Sequence, residues 1–242
     1  MIDLHSHILP GLDDGARELE ETLHMAHLAV QSGVTDMVVT PHCMHGGAPE
    51  MKSSLTMVRQ ALKETGIPLR LHAGMEIFGT PNTLRLLQEG ELVTLNHSVY
   101  PLIEFDFVAS GERETRILEK LLQAGYVPLV AHPERYEYIQ ADPGLINRWT
   151  QMGCLLQINK GSLLGRFGLQ IQELAMAMVD RGFATVVASD AHSAQVRTPW
   201  MYDVWELLGR HFSPIASQML LRDNPWRILN NKPIPSVTPE WF

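Results

Sequence analysis

Residues 127–136 read VPLVAHPERY, and their order decides how the rest of the chain is understood. Val127–Ala131 is an apolar run without alternation, as in a strand buried on both faces. His132 follows at once, with Arg135 three residues on. The same order recurs. Asp36–Thr40 leads to His42, Tyr100–Phe105 carries Glu104 near its end, and Thr185–Ser189 runs into Asp190 and His192. Leu69–Glu76 closes on Glu76, and Ile2–His5 closes on His5 with His7 two residues beyond. Side chains alternate along an extended segment, so His5 and His7 are expected on one side.

With Leu155–Asn159 these make seven predicted strands. Helical patterns lie between them at Arg17–Ser32, Met51–Thr65, Thr83–Glu89, Arg113–Ala124, Pro143–Met152 and Leu169–Arg181. The first carries Leu19, Leu23, Ala26, Leu28 and Val30 and stops at Gly33; the fourth stops at Gly125. Two more helices, Trp200–Leu208 and Pro214–Leu221, precede a Pro-rich tail. Strands alternating with helices predict an α/β fold with a parallel sheet, either a barrel or a doubly wound layer. No strand leads into a Gly-x-Gly-x-x-Gly turn, which weakens the dinucleotide-binding version. No linker or composition break divides the chain, so residues 1–242 are read as a single domain.

In a parallel α/β barrel the C-terminal strand ends share one face, and that face carries the chemistry. His5, His7, His42, Glu76, Glu104, His132, Asp190 and His192 would therefore converge at one mouth. Each has a structural alternative on its own. Glu76 or Glu104 could pair with an arginine, Asp190 could cap a turn, and His132 before Pro133 could begin one. One of Asp13 and Asp14 is expected to cap a helix starting near Ala16. Their joint placement points to a multinuclear metal site. His24, His27, His72, His97 and His211 are read as structural, and His45 is left open.

Bulk properties agree. The 242 residues are 45% hydrophobic and 19% charged, with a net charge of −8. No Lys/Arg run suggests a nucleic-acid partner. Three divalent ions would bring −8 to about −2. Two cysteines, Cys43 and Cys154, rule out a disulfide framework. Neither heads a Cys-x5-Arg loop: Pro49 stands six residues after Cys43 and Lys160 six after Cys154. The cysteine-based phosphatase mechanism is rejected. Neither a secretory leader nor a membrane span is recognisable, so a cytoplasmic location without direct membrane insertion is expected. The oligomeric state is not legible.

The stretches DLHSHILPGLDDGA, TPH, GMEIF, LIEF, AHPERY, ASDAH and DNPWRIL run from residue 3 to about residue 229. In that order the chain resembles the PHP (polymerase and histidinol phosphatase) superfamily. Within it, DLHSH-x5-DDG followed by AHPERY matches the capsule-type, manganese-dependent protein-tyrosine phosphatases. The resemblance implies a distorted seven-stranded (β/α)7, TIM-like barrel with three divalent ions at its mouth. Manganese is the first choice, with iron, zinc or cobalt as alternatives. It further implies that His5, His7, Glu76 and Asp190 hold the first ion. Glu76 bridges to a second, completed by Glu104 and His132, while Asp14, His42 and His192 hold the third. Arg135 and Arg197 match the catalytic, phosphate-binding arginines. Cys43 departs from the pattern, because a histidine is frequent at its position.

The implied reaction is hydrolysis of protein phosphotyrosine by metal-activated water. An aryl group leaves readily as phenolate, so the reaction does not demand a strong general acid, and a metal or His42 could assist its departure. The implied partner is a phosphotyrosine protein, a bacterial tyrosine autokinase that controls capsular or exopolysaccharide synthesis. A histidinol-phosphate phosphatase or an exonuclease of the same superfamily would use the same metals. A degenerate, non-catalytic metal-binding protein is the alternative outside enzymology.

Overall fold

The computed structural model of the chain describes residues 1–235 and 238–242. Among these residues, nine short parallel strands form two sheets. The smaller has the order β1-β2-β4, from β1 (Ile2–Asp3), β2 (Asp36–Val38) and β4 (Arg70–His72). The larger runs β3-β5-β6-β7-β8-β9. Its strands are β3 (His42–Cys43), β5 (Glu76–Phe78), β6 (Leu102–Glu104), β7 (Leu129–Ala131), β8 (Leu155–Asn159) and β9 (Val186–Ala188). A parallel bridge between Ser6 and Ala191, with His7 N–H donating to the Ala191 carbonyl at 2.8 Å, joins the chain after β1 to the chain after β9. The strands thus follow one another around a ring.

The expectation of seven strands is corrected in two places. Asp36–Thr40 pairs only to Val38, and pairing resumes at His42; Pro41 between them has no N–H to donate. Leu69–Glu76 splits into β4 and β5, so Glu76 opens a strand instead of closing one. Gly74 lies at the break, and a Cβ there would stand 2.6 Å from the Val38 Cγ1. The close approach of the two segments needs a glycine.

Both strand faces are buried, which is why the sequence shows little alternation. Ile2, Leu4, Val38, Leu102, Leu129, Ala131 and Val186 form a small inner cluster with Ile228 and Leu229. Their alternate neighbours, including Ile103, Val130, Leu156, Ile158 and Val187, join a larger cluster under the helices. Those helices are α1 (Leu19–Gln31), α2 (Ala48–Thr65), α3 (Thr83–Gln88), α4 (Glu112–Gln123), α5 (Glu137–Ala141), α6 (Gly144–Met152), α7 (Lys160–Leu163), α8 (Leu169–Asp180), α9 (Tyr202–His211), α10 (Pro214–Gln218) and α11 (Asn224–Leu229). Inner-facing Leu102 and Leu155 are followed two residues on by Glu104 and Gln157, so the inner face turns from apolar to polar toward the strand ends. Among the described residues, no helix is long and apolar enough to cross a membrane.

Neither Asp13 nor Asp14 caps a helix: α1 begins at Leu19, and its N-cap is Glu18, without a side-chain cap bond. His72, read as structural, lies 2.9 Å from Asp36 Oδ1, which also accepts from Arg70 Nε at 2.7 Å. Burial works against ionisation of Asp36, but the bonds from Arg70, His72 and Thr35 outweigh it and hold the carboxyl below its ordinary range. Because the folded value is depressed, this stabilisation is complete above the ordinary aspartate range and fades as pH falls through the folded value. Asp36→Asn should cost about 1 kcal/mol at neutral pH, given the solvent around Arg70, and nothing once wild-type Asp36 is protonated. Urea titrations at neutral and acid pH test this; equal losses at both would refute it.

Candidate metal centre

Nine side chains meet at the C-terminal end of the ring. Their ligand atoms form overlapping groups in which all atoms lie within 4.8 Å of one another. These groups are His7, Asp14, His42 and His192; His5, His7 and Asp190; His5, Glu76 and His132; and His42, Glu76 and Glu104. They include every ligand expected from the sequence.

Strand geometry explains the convergence. Registry sets His42 of β3 opposite Glu76 of β5, and His42 Nδ1 lies 3.0 Å from Glu76 Oε2. Phe78 pairs with Glu104 of β6. His132 and Asp190 follow β7 and β9 with positive φ, 33° and 50°. These left-handed turns aim side chains from strand ends into the ring, at a backbone cost of order 1 kcal/mol each. Gly15 lets the LDDGA loop lie against β1's continuation, since a Cβ there would sit 2.0 Å from the His7 carbonyl oxygen.

Secondary partners fix the rings. His7 Nδ1 donates to Asp13 Oδ2 at 2.7 Å, so its Nε2 is free to face the centre. Asp13 also accepts from the N–H groups of Gly15 and His42. The sequence assigns it only to the turn, so its hold on His7 is an addition. His192 Nδ1 donates to the Asp190 carbonyl at 3.0 Å. Asp14 is exposed, and its Oδ1 stands 3.4 Å from Nε2 of both His42 and His192.

The arrangement fits bound cations on its own chemistry. His5 Nε2 and His7 Nε2 are 3.1 Å apart, and both face Glu76 Oε2, at 3.1 and 3.3 Å. Asp190 Oδ1 lies 3.5 and 3.4 Å from the same two nitrogens. Glu76 Oε2, Asp190 Oδ1 and His192 Nε2 are nonetheless buried without a hydrogen-bond partner. Orphaned polar atoms of this kind are costly unless something between them satisfies them. Burial opposes protonation of His5 and His7, but the neighbouring carboxylates outweigh it and raise both pKa values. Burial and the Glu76 charge push Glu104 up to about 7. At His5, His7 and Glu104 the surroundings thus favour proton binding, and divalent cations would compete for the same atoms.

Two arginines flank this centre. Arg135 Nη1 donates to Asp190 Oδ2 at 3.2 Å, and Arg197 Nη2 reaches the same oxygen. The Arg135 guanidinium lies between the rings of Phe107, 4.9 Å away, and Phe167, 4.5 Å away. Phe107 in turn stacks on His132 at 5.9 Å and 14°. Gly161 provides room for Phe167, whose ring a Cβ there would meet at 2.8 Å. Lys160, buried and pushed down to about 8 by burial, donates to the carbonyls of Thr198 and Trp200, securing the loop that bears Arg197. The rest of AHPERY is structural. Glu134 accepts from Asn159 N–H and Ser162 Oγ, and Tyr136 OH donates to the Ala131 carbonyl.

The model of the family described as "Capsular polysaccharide synthesis, CpsB/CapC" matches residues 1–230. The chain belongs to the CpsB/CapC family. This CpsB/CapC chain is 32% identical over 244 residues to the tyrosine-protein phosphatase YwqE of Bacillus subtilis, covering 99% of the chain and 96% of that relative. It is 32% identical to the tyrosine-protein phosphatase CpsB of Streptococcus pneumoniae, with 95% and 98% covered. Among solved structures, one described as YwqE from B. subtilis and CpsB from S. pneumoniae, "unique metal-dependent tyrosine phosphatases", superposes with a TM-score of 0.95. That match is 31% identical and covers 100% of this chain and 99% of the other. A lactonase of Listeria monocytogenes, 11% identical with a TM-score of 0.62, shares the fold alone.

Proposed function

We propose that this chain is a metal-dependent protein-tyrosine phosphatase working as a single domain. The observation that carries the reading is the cluster of histidine and carboxylate atoms around one centre, with two arginines at its edge. His5, His7, Glu76 and Asp190 would hold one ion, Glu76, Glu104 and His132 a second, and Asp14, His42 and His192 a third. Mixed His/carboxylate ligands suit manganese, and also iron, zinc or cobalt. Such ions supply a water nucleophile at neutral pH and neutralise phosphoryl charge. Arg135 and Arg197 bind phosphoryl oxygens in place of Asp190, with Phe107 and Phe167 holding Arg135 flat.

The substrate is a phosphotyrosine protein, which by the family's link to capsular polysaccharide synthesis is a tyrosine autokinase acting in the cytoplasm. A histidinol-phosphate phosphatase is not favoured, because relatives matching nearly end to end are named tyrosine phosphatases. The test offers phosphotyrosine peptide, histidinol phosphate and single-stranded DNA side by side with manganese. Preference for either of the latter overturns the reading. Arg135→Ala should lower kcat/KM on the peptide about 100-fold while manganese content stays at the wild-type level. Undiminished kcat/KM would remove Arg135 from the phosphate site.

A further inference from the structure

Among the described residues, β8 is the one strand of the larger sheet that neither carries nor leads directly into a residue of the four ligand groups. Its polar residues Gln157 and Asn159 are nevertheless fully buried and, two apart, lie on the same strand face. They connect two expected ligands. Asn159 Nδ2 donates to Asp190 Oδ2 at 2.6 Å, and Gln157 Nε2 donates to Asn159 Oδ1 at 3.4 Å. Gln157 Oε1 lies 2.9 Å from His5 Nδ1.

The direction of this chain of bonds is not free. Asp190 Oδ2 also receives Arg135 and Arg197, so it acts only as an acceptor. Turning the Asn159 amide over would set its oxygen against that carboxylate oxygen at 2.6 Å. Its nitrogen therefore faces Asp190 and its oxygen faces Gln157. An oxygen at that place demands the Gln157 nitrogen, which leaves the Gln157 oxygen toward His5. An amide oxygen only accepts, so His5 carries a proton on Nδ1.

We infer that Gln157 and Asn159 are positioning residues: a neutral relay, anchored on Asp190, that keeps His5 protonated on Nδ1 and its Nε2 turned to the metal centre. The inference rests on the metal reading above. Ligating histidines commonly have such a partner on the other nitrogen, and its loss weakens metal binding about 10–100-fold. Here the partner is uncharged, so the relay imposes a direction without burying another charge beside Glu76 and Asp190. Asn159 acts at one remove, touching Asp190 but not His5.

Manganese titration calorimetry of the metal-free protein, together with nitrogen-15 NMR of the histidines in the diamagnetic zinc-loaded protein, tests the relay. Gln157→Leu should weaken manganese binding about 10–100-fold, and Asn159→Leu about 10-fold, because Gln157 can then turn over. Gln157→Glu keeps an acceptor toward His5, so it should retain the Nδ1–H signature in the zinc-loaded protein. It is the arm that decides if the leucine variant does not fold. Wild-type affinity in folded Gln157→Leu, or loss of the Nδ1–H signature in Gln157→Glu, overturns the relay. If wild-type protein takes up no manganese, the metal reading itself has failed, which is a separate outcome.

Discussion

Asp190→Ala should reduce phosphotyrosine hydrolysis at least about 1,000-fold while the chain stays folded. Asp190 has more roles than any other residue of the centre. Its Oδ1 lies 3.5 and 3.4 Å from Nε2 of His5 and His7, its Oδ2 gathers Asn159, Arg135 and Arg197, and its carbonyl orients His192. Removing the carboxylate deletes one expected ligand, releases the relay that aims a second, and frees both arginines from their resting partner. Effects on groups acting as a unit do not add, so one deletion approaches complete loss. The fold should survive. The core lies in the two apolar clusters beneath the centre, and a loss of about 1–3 kcal/mol is tolerable against roughly 5–15 in total. Turnover, metal content by plasma emission and circular dichroism are the measurements. Folded variants of Asp190→Ala or His5→Ala with wild-type rates would remove the metal centre from the mechanism.

A chelator should abolish activity and added manganese should restore it, whereas iodoacetamide should leave the metal-loaded enzyme active. The expected contrast is again about 1,000-fold or more. Its physical basis is the state of the thiols. Cys43 borders the centre but is only 8% exposed; burial raises its pKa, and its Sγ donates to the Gly46 carbonyl. Cys154 is buried and pushed up to about 12. Neither thiol is a ready nucleophile at neutral pH. Should inactivation by iodoacetamide keep pace with labelling of Cys43 in the metal-loaded enzyme, attack by water would have to be abandoned in favour of the thiol.

How far the sequence discloses all this depends on the kind of residue. Histidines and carboxylates at strand ends are conspicuous because their chemistry is rare beside apolar runs, and VPLVAHPERY exposes strand, candidate ligand and arginine together. The β8 strand is read with its observed limits, Leu155–Asn159. The breaks at Pro41 and Gly74 are harder to see, because each lies within an otherwise continuous strand pattern and depends on the neighbouring segment. Gln157 and Asn159 carry no charge and match no motif, so only their closed bond geometry reveals a role. Phe107 and Phe167 are 60 positions apart and read as ordinary apolar residues; the guanidinium between them becomes visible only in three dimensions. The helix cap expected of Asp13 or Asp14 fails for a local reason: Asp13 already accepts from His7, Gly15 and His42.

Among the described residues, six non-glycine residues have positive φ, and three of them are His132, Asp190 and Arg197. Half of this energetically disfavoured backbone therefore lies at two of the candidate ligands and one of the flanking arginines. Substituting glycine at any of the three would relieve local strain and erase part of the centre in one step. Relief of that strain offsets part of what is lost with the side chain's contacts, so drift without selection for turnover leads toward a barrel that is intact but inert. Persistence of the fold is thus no guarantee of persistence of the enzyme.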